Sequence, residues 1–439
     1  MLTTAQTGSN GTTSAASPWK NWSGSQTATP ARWATPATEA ELADTVQKAD
    51  QVRVVGAGHS FTPLVPTTGC IVSLDRLAGL VDHHRAAHQA TLWAGTRLFD
   101  CGPLLHAVGQ ALPNMGDIDR QSVGGVLSTA THGTGATFPC IAAGAVELRL
   151  VTATGEVLSA SAERDSEMFH AAAVSLGSLG VMSQVTLQNV PSFRLRERVE
   201  MLPLDTVLAD LDHWKREHRN FELWVFPHSR QALIKTLDIT DDAVDSQIKG
   251  ADAADGLLRL CSELTRALPG LTAPLQKLAA RFIKPTLRVG DSWRIFPSER
   301  GVRFNEMEYH VPDDAGAEAL DEACRVSVSS GTGGFFPIEF RFVAGDTHWL
   351  SPFEGGNRAS IAVHQYYKQD YRPLFAAVEP VLRRRGGRPH WGKLHTATHR
   401  DLLAMYPNLG RFLRVRAQLD PGGKFLNPYL RSIFGLTGA

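Results

Sequence analysis

The sequence reads as an α+β protein built from two lobes, on three observations. At 439 residues the chain exceeds one average domain. A short valine-rich run, Val52 to Val55, ends at once in Gly56-Ala57-Gly58-His59-Ser60, as a buried strand turning on glycines does. Beyond about Pro191 the texture changes, and runs of helical and strand period alternate as in an antiparallel sheet carrying helices. Lys+Arg and Asp+Glu stand at 44 each, which gives no electrostatic case for nucleic acid or an anionic membrane. Five scattered cysteines without metal spacing fit reduced thiols in a cytoplasmic protein.

Residues 1–17 are rich in Thr, Ser, Gly and Ala and read as a disordered leader; they lack the apolar stretch of a signal peptide. No uninterrupted apolar run is long enough to span a membrane. Thr38-Glu39-Ala40-Glu41 reads as a capping box opening a helix with Leu42, Val46 and Ala49 on one face. After the glycine turn, Gln89 to Trp93 is a strand, and Thr96 is expected to cap a helix through Leu98, Leu104, Leu105 and Val108. Glu147 to Val151 and Val157-Leu158 form a hairpin about Thr154-Gly155. A short helix over Asp165 to Val174 precedes a last strand ending near Leu187.

Two stretches of this lobe suit an anionic or flat ligand. The Val55 to Ser60 turn brings backbone N–H groups close to whatever lies above it, with His59 at its end. Against a dinucleotide-binding fingerprint, Phe61 stands at the third glycine position and Pro63 follows where a helix should run. Between Leu112 and Gly135, glycines 124, 125, 133 and 135 alternate with Ser122, Ser128, Thr129, Thr131 and Thr134. Small residues and hydroxyls together offer a bed for a pyrophosphate.

In the second lobe, Leu204, Val207, Leu208, Leu211 and Trp214 mark a helix, Phe221 to Phe226 a strand, and Ala317 to Val326 a helix. The stretch from Asp241 to Pro285 is helical in character without a clear place. Alternation across Phe335 to Val343 puts Phe336, Ile338, Phe340 and Phe342 on one face, with Glu339 and Arg341 on the other. If Pro389 to His395 is extended, Trp391, Lys393 and His395 share a face.

VRVVGAGHSFTPLV, the WKNWSG opening, GSLGVMSQVTL, the Glu-x-Arg strand, HWGK and the DPGGKFLNPY ending together resemble the vanillyl-alcohol-oxidase-type flavoproteins, within them the sugar-lactone and alditol oxidases. The resemblance runs from about Trp19 to Phe434. It implies a two-domain flavoprotein: an FAD-binding lobe (PCMH-type) over 18–190, a substrate cap over 191–388, and a segment over 389–439 closing the site. It implies FAD held covalently through His59, a role that suits a neutral imidazole nucleophile.

On the cofactor the resemblance sets Val55, Gly56, Ala57, Gly58, His59 and Ser60; then Asn114, Gly116, Asp117, Ser122, Gly124, Gly125, Ser128, Thr131, His132, Gly133 and Gly135; then Gly180, Val181, Arg341 and Lys393. Glu339, Arg341, Lys393 and Gly116 are its catalytic set, and Glu339, Lys393, His364 and His395 its substrate contacts. A glycine at position 116 goes with reaction at O2, against a dehydrogenase using another acceptor. The activity implied is oxidation of a CH–OH group of a lactone or polyol, with O2 reduced to H2O2. A catalytically silent sugar-binding protein is the alternative from another class; the charges at Glu339, Arg341 and Lys393 argue against it. Oligomeric state is not encoded in any motif.

Overall fold

The computed structural model describes residues 13–14, 18–245, 252–298 and 301–436, without the side chains of 13–14 and 252–255. Strands β1 (Thr13–Ser14), β2 (Arg32–Ala34), β3 (Val52–Val55) and β4 (Cys70–Ser73) form one sheet in the order β1-β2-β4-β3. Two residues of the expected leader are thus strand, and the rest of 1–17 lies outside the described residues. A second sheet runs β8-β7-β9-β6-β5, from β5 (Leu80–His84), β6 (Gln89–Trp93), β7 (Ala145–Val151), β8 (Val157–Ser161) and β9 (Val181–Gln188).

Helix α1 (Glu39–Lys48) starts where the capping sequence puts it, with Thr38 Oγ1 accepting from Glu41 N. The cap of α2 (Leu98–Ala107) differs from expectation. Its N-cap is Arg97, and Thr96 Oγ1 instead donates to Trp93 O, tying the preceding turn together. Within the glycine-rich stretch a short helix, α3 (Val123–Ser128), begins at Ser122, whose hydroxyl accepts from Gly125 N. Helix α4 (Ser166–Ala173) completes the lobe.

The second lobe is an eight-stranded antiparallel sheet. Its strands are β10 (Arg194–Pro203), β11 (Asn220–Phe226), β12 (Gln231–Ile239), β13 (Thr286–Asp291), β14 (Phe304–Pro312), β15 (Ile338–Val343), β16 (Arg358–Tyr366) and β17 (Arg388–Pro389). They lie in the order β13-β10-β12-β11-β15-β16-β14-β17. Alternation sends Leu223, Val225, Met307, Tyr309, Ile338, Phe340 and Phe342 to one face. There they pack against α5 (Leu204–Ala209), α6 (Leu211–Glu217), α9 (Gly316–Ser329) and α10 (Arg372–Arg384). The unplaced stretch forms α7 (Asp252–Ala267) and α8 (Thr272–Phe282). Phe336 departs from its expected face: it precedes β15 and packs on Phe304 instead.

The tail returns to the first lobe. Trp391, Tyr406, Phe412, Phe425 and Phe434 join one core with Leu42, Val72 and Leu92. Lys424 O accepts from Val52 N at 2.9 Å, and Asn427 Nδ2 donates to the carbonyls of Pro63 and Pro66. Arg53, buried in β3, donates to the carbonyls of Leu64, Leu176, Gly177 and Phe425. One guanidinium therefore ties β3 to three other segments of the chain. Among the described residues no helix is long and apolar enough to cross a membrane.

Candidate active site at the lobe junction

Two cavities meet between the lobes, sharing Ile118, Gln121 and Lys393 in their walls. The first is lined by Val55 to Ser60, Ser122, Gly124, Gly125, Ser128, Gly177 and Gly180. Its walls are shaped by missing side chains. A Cβ on Gly56 would come 2.2 Å from Ser122 Oγ, and one on Gly180 would come 2.7 Å from Val151 O. Gly58 takes φ +68°, the left-handed region that glycine adopts freely. This turn presents His59, whose ring stacks on Trp22 at 5.5 Å. Burial, aided by Lys393, Arg97 and Arg120, lowers its pKa to about 4, so the imidazole is neutral at physiological pH.

Lys393 reaches the junction on a tight turn rather than an extended strand, with Lys393 N bonded to His390 O and Gly392 N to His390 Nδ1. Phe61 N donates to Gly392 O, and Thr62 Oγ1 to Trp391 O, so this turn docks on the GAGHS loop. Trp391 goes into the core, donating to Leu350 O. Lys393 Nζ pairs with Glu306 and lies 5.2 Å from the Phe61 ring centroid.

The second cavity, about 460 Å³, has the polar face of the cap sheet as its wall. Register sets the charges there directly opposite one another: Glu222 faces Arg341 on one side and Lys235 on the other, and Glu197 faces Arg288. Arg341 Nε donates to Glu222 Oε2 at 2.7 Å, while its Nη2 donates to Glu339 Oε1 at 2.6 Å and Asp117 Oδ2 at 2.8 Å. Lys235 Nζ lies 2.9 Å from Glu222 and 3.3 Å from Asp117, and Arg288 holds Glu197 through two bonds of 2.7 Å. Burial opposes charge on Arg341, but three carboxylates outweigh it and hold the guanidinium charged. Glu339 is pushed up, first by burial and then by Asp117 and Glu222 against the pull of Arg341. Burial also opposes charge on Glu306, yet Lys393 and His364 keep its carboxyl below the usual range.

A model of the D-arabinono-1,4-lactone oxidase family matches residues 185–433, and one of the FAD binding domain matches residues 30–161. The chain is 38% identical over 426 residues to L-gulono-1,4-lactone dehydrogenase of Mycobacterium tuberculosis, covering 95% of this chain and 99% of that one. The chain belongs to the D-arabinono-1,4-lactone oxidase family. It is also 32% identical to L-gulonolactone oxidase of Bos taurus (95% and 98% covered) and 31% identical to alditol oxidase of a Streptomyces species (94% and 98%). Among solved structures, cholesterol oxidase from B. sterolicum superposes with a TM-score of 0.82 over 97% of both chains, at 15% identity, which speaks for the fold alone. The two-lobed α+β flavoprotein architecture expected from the sequence stands.

The residues present fit the FAD of this oxidoreductase family. The first cavity is a cradle cleared of side chains by glycines, and it opens past Lys393 into the polar chamber. Of the residues the resemblance set on the cofactor or substrate, Gly116, Asp117, Thr131, His132, Glu339, Arg341, His364 and Lys393 line that chamber. Five others lie outside both cavities. Asn114 Nδ2 donates to Thr134 O, and its Oδ1 accepts from Met115 N and Asn220 Nδ2. Gly133 makes room for Met115 O, since a Cβ there would stand 2.4 Å from it. Gly135, at φ +129°, bridges to Val343 of the cap strand. Val181 is a core residue, and His395 Nε2 meets Tyr429 OH at 3.0 Å.

Gly116 also acquires a packing reason. A Cβ there would lie 2.9 Å from His132 O, so close backbone approach alone calls for glycine. His132 in turn holds Glu308 Oε1 at 3.0 Å. The sequence reasoning missed Glu197, Lys235, Glu306, Glu308 and His390 on the chamber wall, and Glu222, which holds Arg341. A signal was available for most: Glu306, Glu308 and His310 alternate with Met307, Tyr309 and Val311, and Glu222 and Lys235 interrupt apolar runs.

Proposed function

We propose that this chain oxidises a CH–OH carbon of an aldonolactone or a related polyol, with FAD attached through His59 and O2 as the final acceptor. The observation that carries this is the junction at Lys393, where a glycine-walled cradle meets a chamber lined with paired charges. FAD, when bound, supplies the acceptor for a hydride at N5 and delivers the two electrons to O2 as H2O2. The chain's own residues do the rest. Arg341, held charged by three carboxylates, offers fixed positive charge to the developing anion. Glu339, whose carboxyl holds protons more tightly than usual, is suited to take the hydroxyl proton as the hydride leaves. Lys393, Glu306 and His364 supply donors and acceptors for the neighbouring hydroxyls. Neutral His59 is the nucleophile for the covalent link.

Residues 18–190 then form the cofactor lobe, 191–388 the substrate cap and 389–439 the closing segment. Five buried free cysteines support a reducing, cytoplasmic setting. A second reading, a dehydrogenase passing electrons to another acceptor, is favoured by the 38% identical relative and by the packing reason for Gly116. A panel of lactones and alditols, assayed aerobically for peroxide and anaerobically with a dye, separates the two. Turnover with dye but no peroxide from any substrate would overturn the oxidase assignment. Absence of both, in protein shown to carry FAD, would overturn the substrate class.

A further inference from the structure

We propose that the outer face of α7 and α8 is a docking surface for an anionic lipid bilayer. The helix pair is amphipathic in the reverse sense for a water-facing element. Leu257, Leu260, Leu264 and Leu268 recur along one stripe of α7 and its end and stand 39–58% exposed. On α8, Leu278 and Phe282 continue the apolar face at 50% and 72% exposure. The buried sides carry Ser262, Thr265, Thr272 and Gln276 beside only the small apolar residues Cys261 and Ala280, with Leu258 partly buried. Leaving leucines in water while burying hydroxyls is unfavourable for a surface that stays wet, so this stripe is shaped for a cover.

Charge identifies the cover. The whole chain is balanced, but from Gly256 to Lys284 five exposed basic residues (Arg259, Arg266, Lys277, Arg281, Lys284) stand against a single carboxylate, Glu263. That carboxylate is engaged by Lys368, Arg266 and Tyr366. The other acidic residues of α7, Asp252 and Asp255, precede its first leucine. On α8, Lys277, Arg281 and Lys284 flank Leu278 and Phe282, while Arg259 and Arg266 lie across α7 from its leucines. Apolar residues beside cations are the pattern of helices lying in the bilayer interface, where leucines enter the acyl boundary and cations meet anionic headgroups. A second copy of the chain would bring two cationic borders together, which disfavours self-association. Leu257 and Phe282 also line the second cavity, so docking would bring the cavity mouth to the bilayer.

The test is sedimentation of the full-length, FAD-loaded protein with vesicles at low ionic strength. Vesicles of phosphatidylcholine containing about one-third phosphatidylglycerol should pellet the protein, pure phosphatidylcholine far less, and added salt should release it. The triple variant Leu260→Gln, Leu268→Gln, Leu278→Gln should lose vesicle partition roughly 10-fold or more while keeping its FAD and melting temperature. A parent protein that stays in the supernatant with anionic vesicles overturns the proposal. So does a triple variant that binds as the parent does. Concentration-dependent dimers abolished by the same substitutions, without vesicle binding, would assign the face to a second copy instead.

Discussion

Arg341 Nη2 donates to Asp117 Oδ2 at 2.8 Å, binding the central strand of the cap to the loop of the FAD lobe that carries Gly116. The two chambers are therefore held in register by a charge that also faces the candidate reaction centre. Around it, Glu222, Glu339 and Lys235 complete a buried network in which every charge has a partner on another strand or residue.

Replacing Arg341 with alanine leaves Asp117 and Glu222 facing Lys235 and takes the guanidinium partner away from Glu339. Breaking such a buried pair should lower stability by about 3–5 kcal/mol. Loss of its charge should slow flavin reduction on the order of 100-fold. Denaturant unfolding and stopped-flow absorbance measure the two effects. Arg341→Lys keeps the charge without the fork and should recover only part of either. An alanine variant reduced as fast as the parent would remove the role assigned to Arg341.

His59→Ala should bind FAD yet release all of it on acid precipitation, whereas the parent's pellet stays yellow. The neutral, low-pKa imidazole on the cradle wall is the basis of this expectation. Colour retained in the variant's pellet would move the link to another residue.

Acid should weaken the fold earlier than carboxylate titration would. Burial lowers His390 to about 3 and His395 to about 4, with Lys393 and Arg383 respectively contributing, and it lowers His310 as well. The unfolded chain takes up protons at these histidines near pH 6.5, whereas the folded chain does not. Their contribution is thus fully present above pH 6.5 and is lost as pH falls towards the folded values. Each adds up to about 1.4 kcal/mol per pH unit across that window. Melting temperature should therefore drop steadily between pH 7 and pH 5. A flat profile would mean that these rings are wetter than their burial indicates.

Gly116→Ala distinguishes packing from oxygen access. The new methyl meets His132 O at 2.9 Å, and a shifted His132 would disturb Glu308 on the chamber wall. Turnover with a dye acceptor should fall together with turnover with O2, and the melting temperature should drop. Unchanged dye activity with selective loss of the oxygen reaction would restore the purely acceptor-controlling role.

Local chemistry was legible in the sequence. The Val52–Val55 strand with its glycine turn, the α1 cap, the hairpin about Gly155, and the opposition of Glu339 and Arg341 to Ile338, Phe340 and Phe342 depend on neighbours a few residues away. These relations follow from strand alternation and turn propensity. What failed did so where distant segments compete. Thr96 gave up the cap to close a turn, Phe336 left its face at the strand's start, and the HWGK stretch folded into a turn because it docks on the GAGHS loop.

The sequence by itself determined which residue types this protein brings to its two lobes and which face of each strand they occupy, because a period of two is a property of the backbone. Tertiary structure alone decided how those charges are neutralised. Glu222 meets Arg341 and Lys235, and Glu197 meets Arg288, through strand register between segments up to 119 residues apart. In a buried, weakly screening sheet face an unpaired charge is strongly unfavourable, so the fold settles in the register that pairs them all.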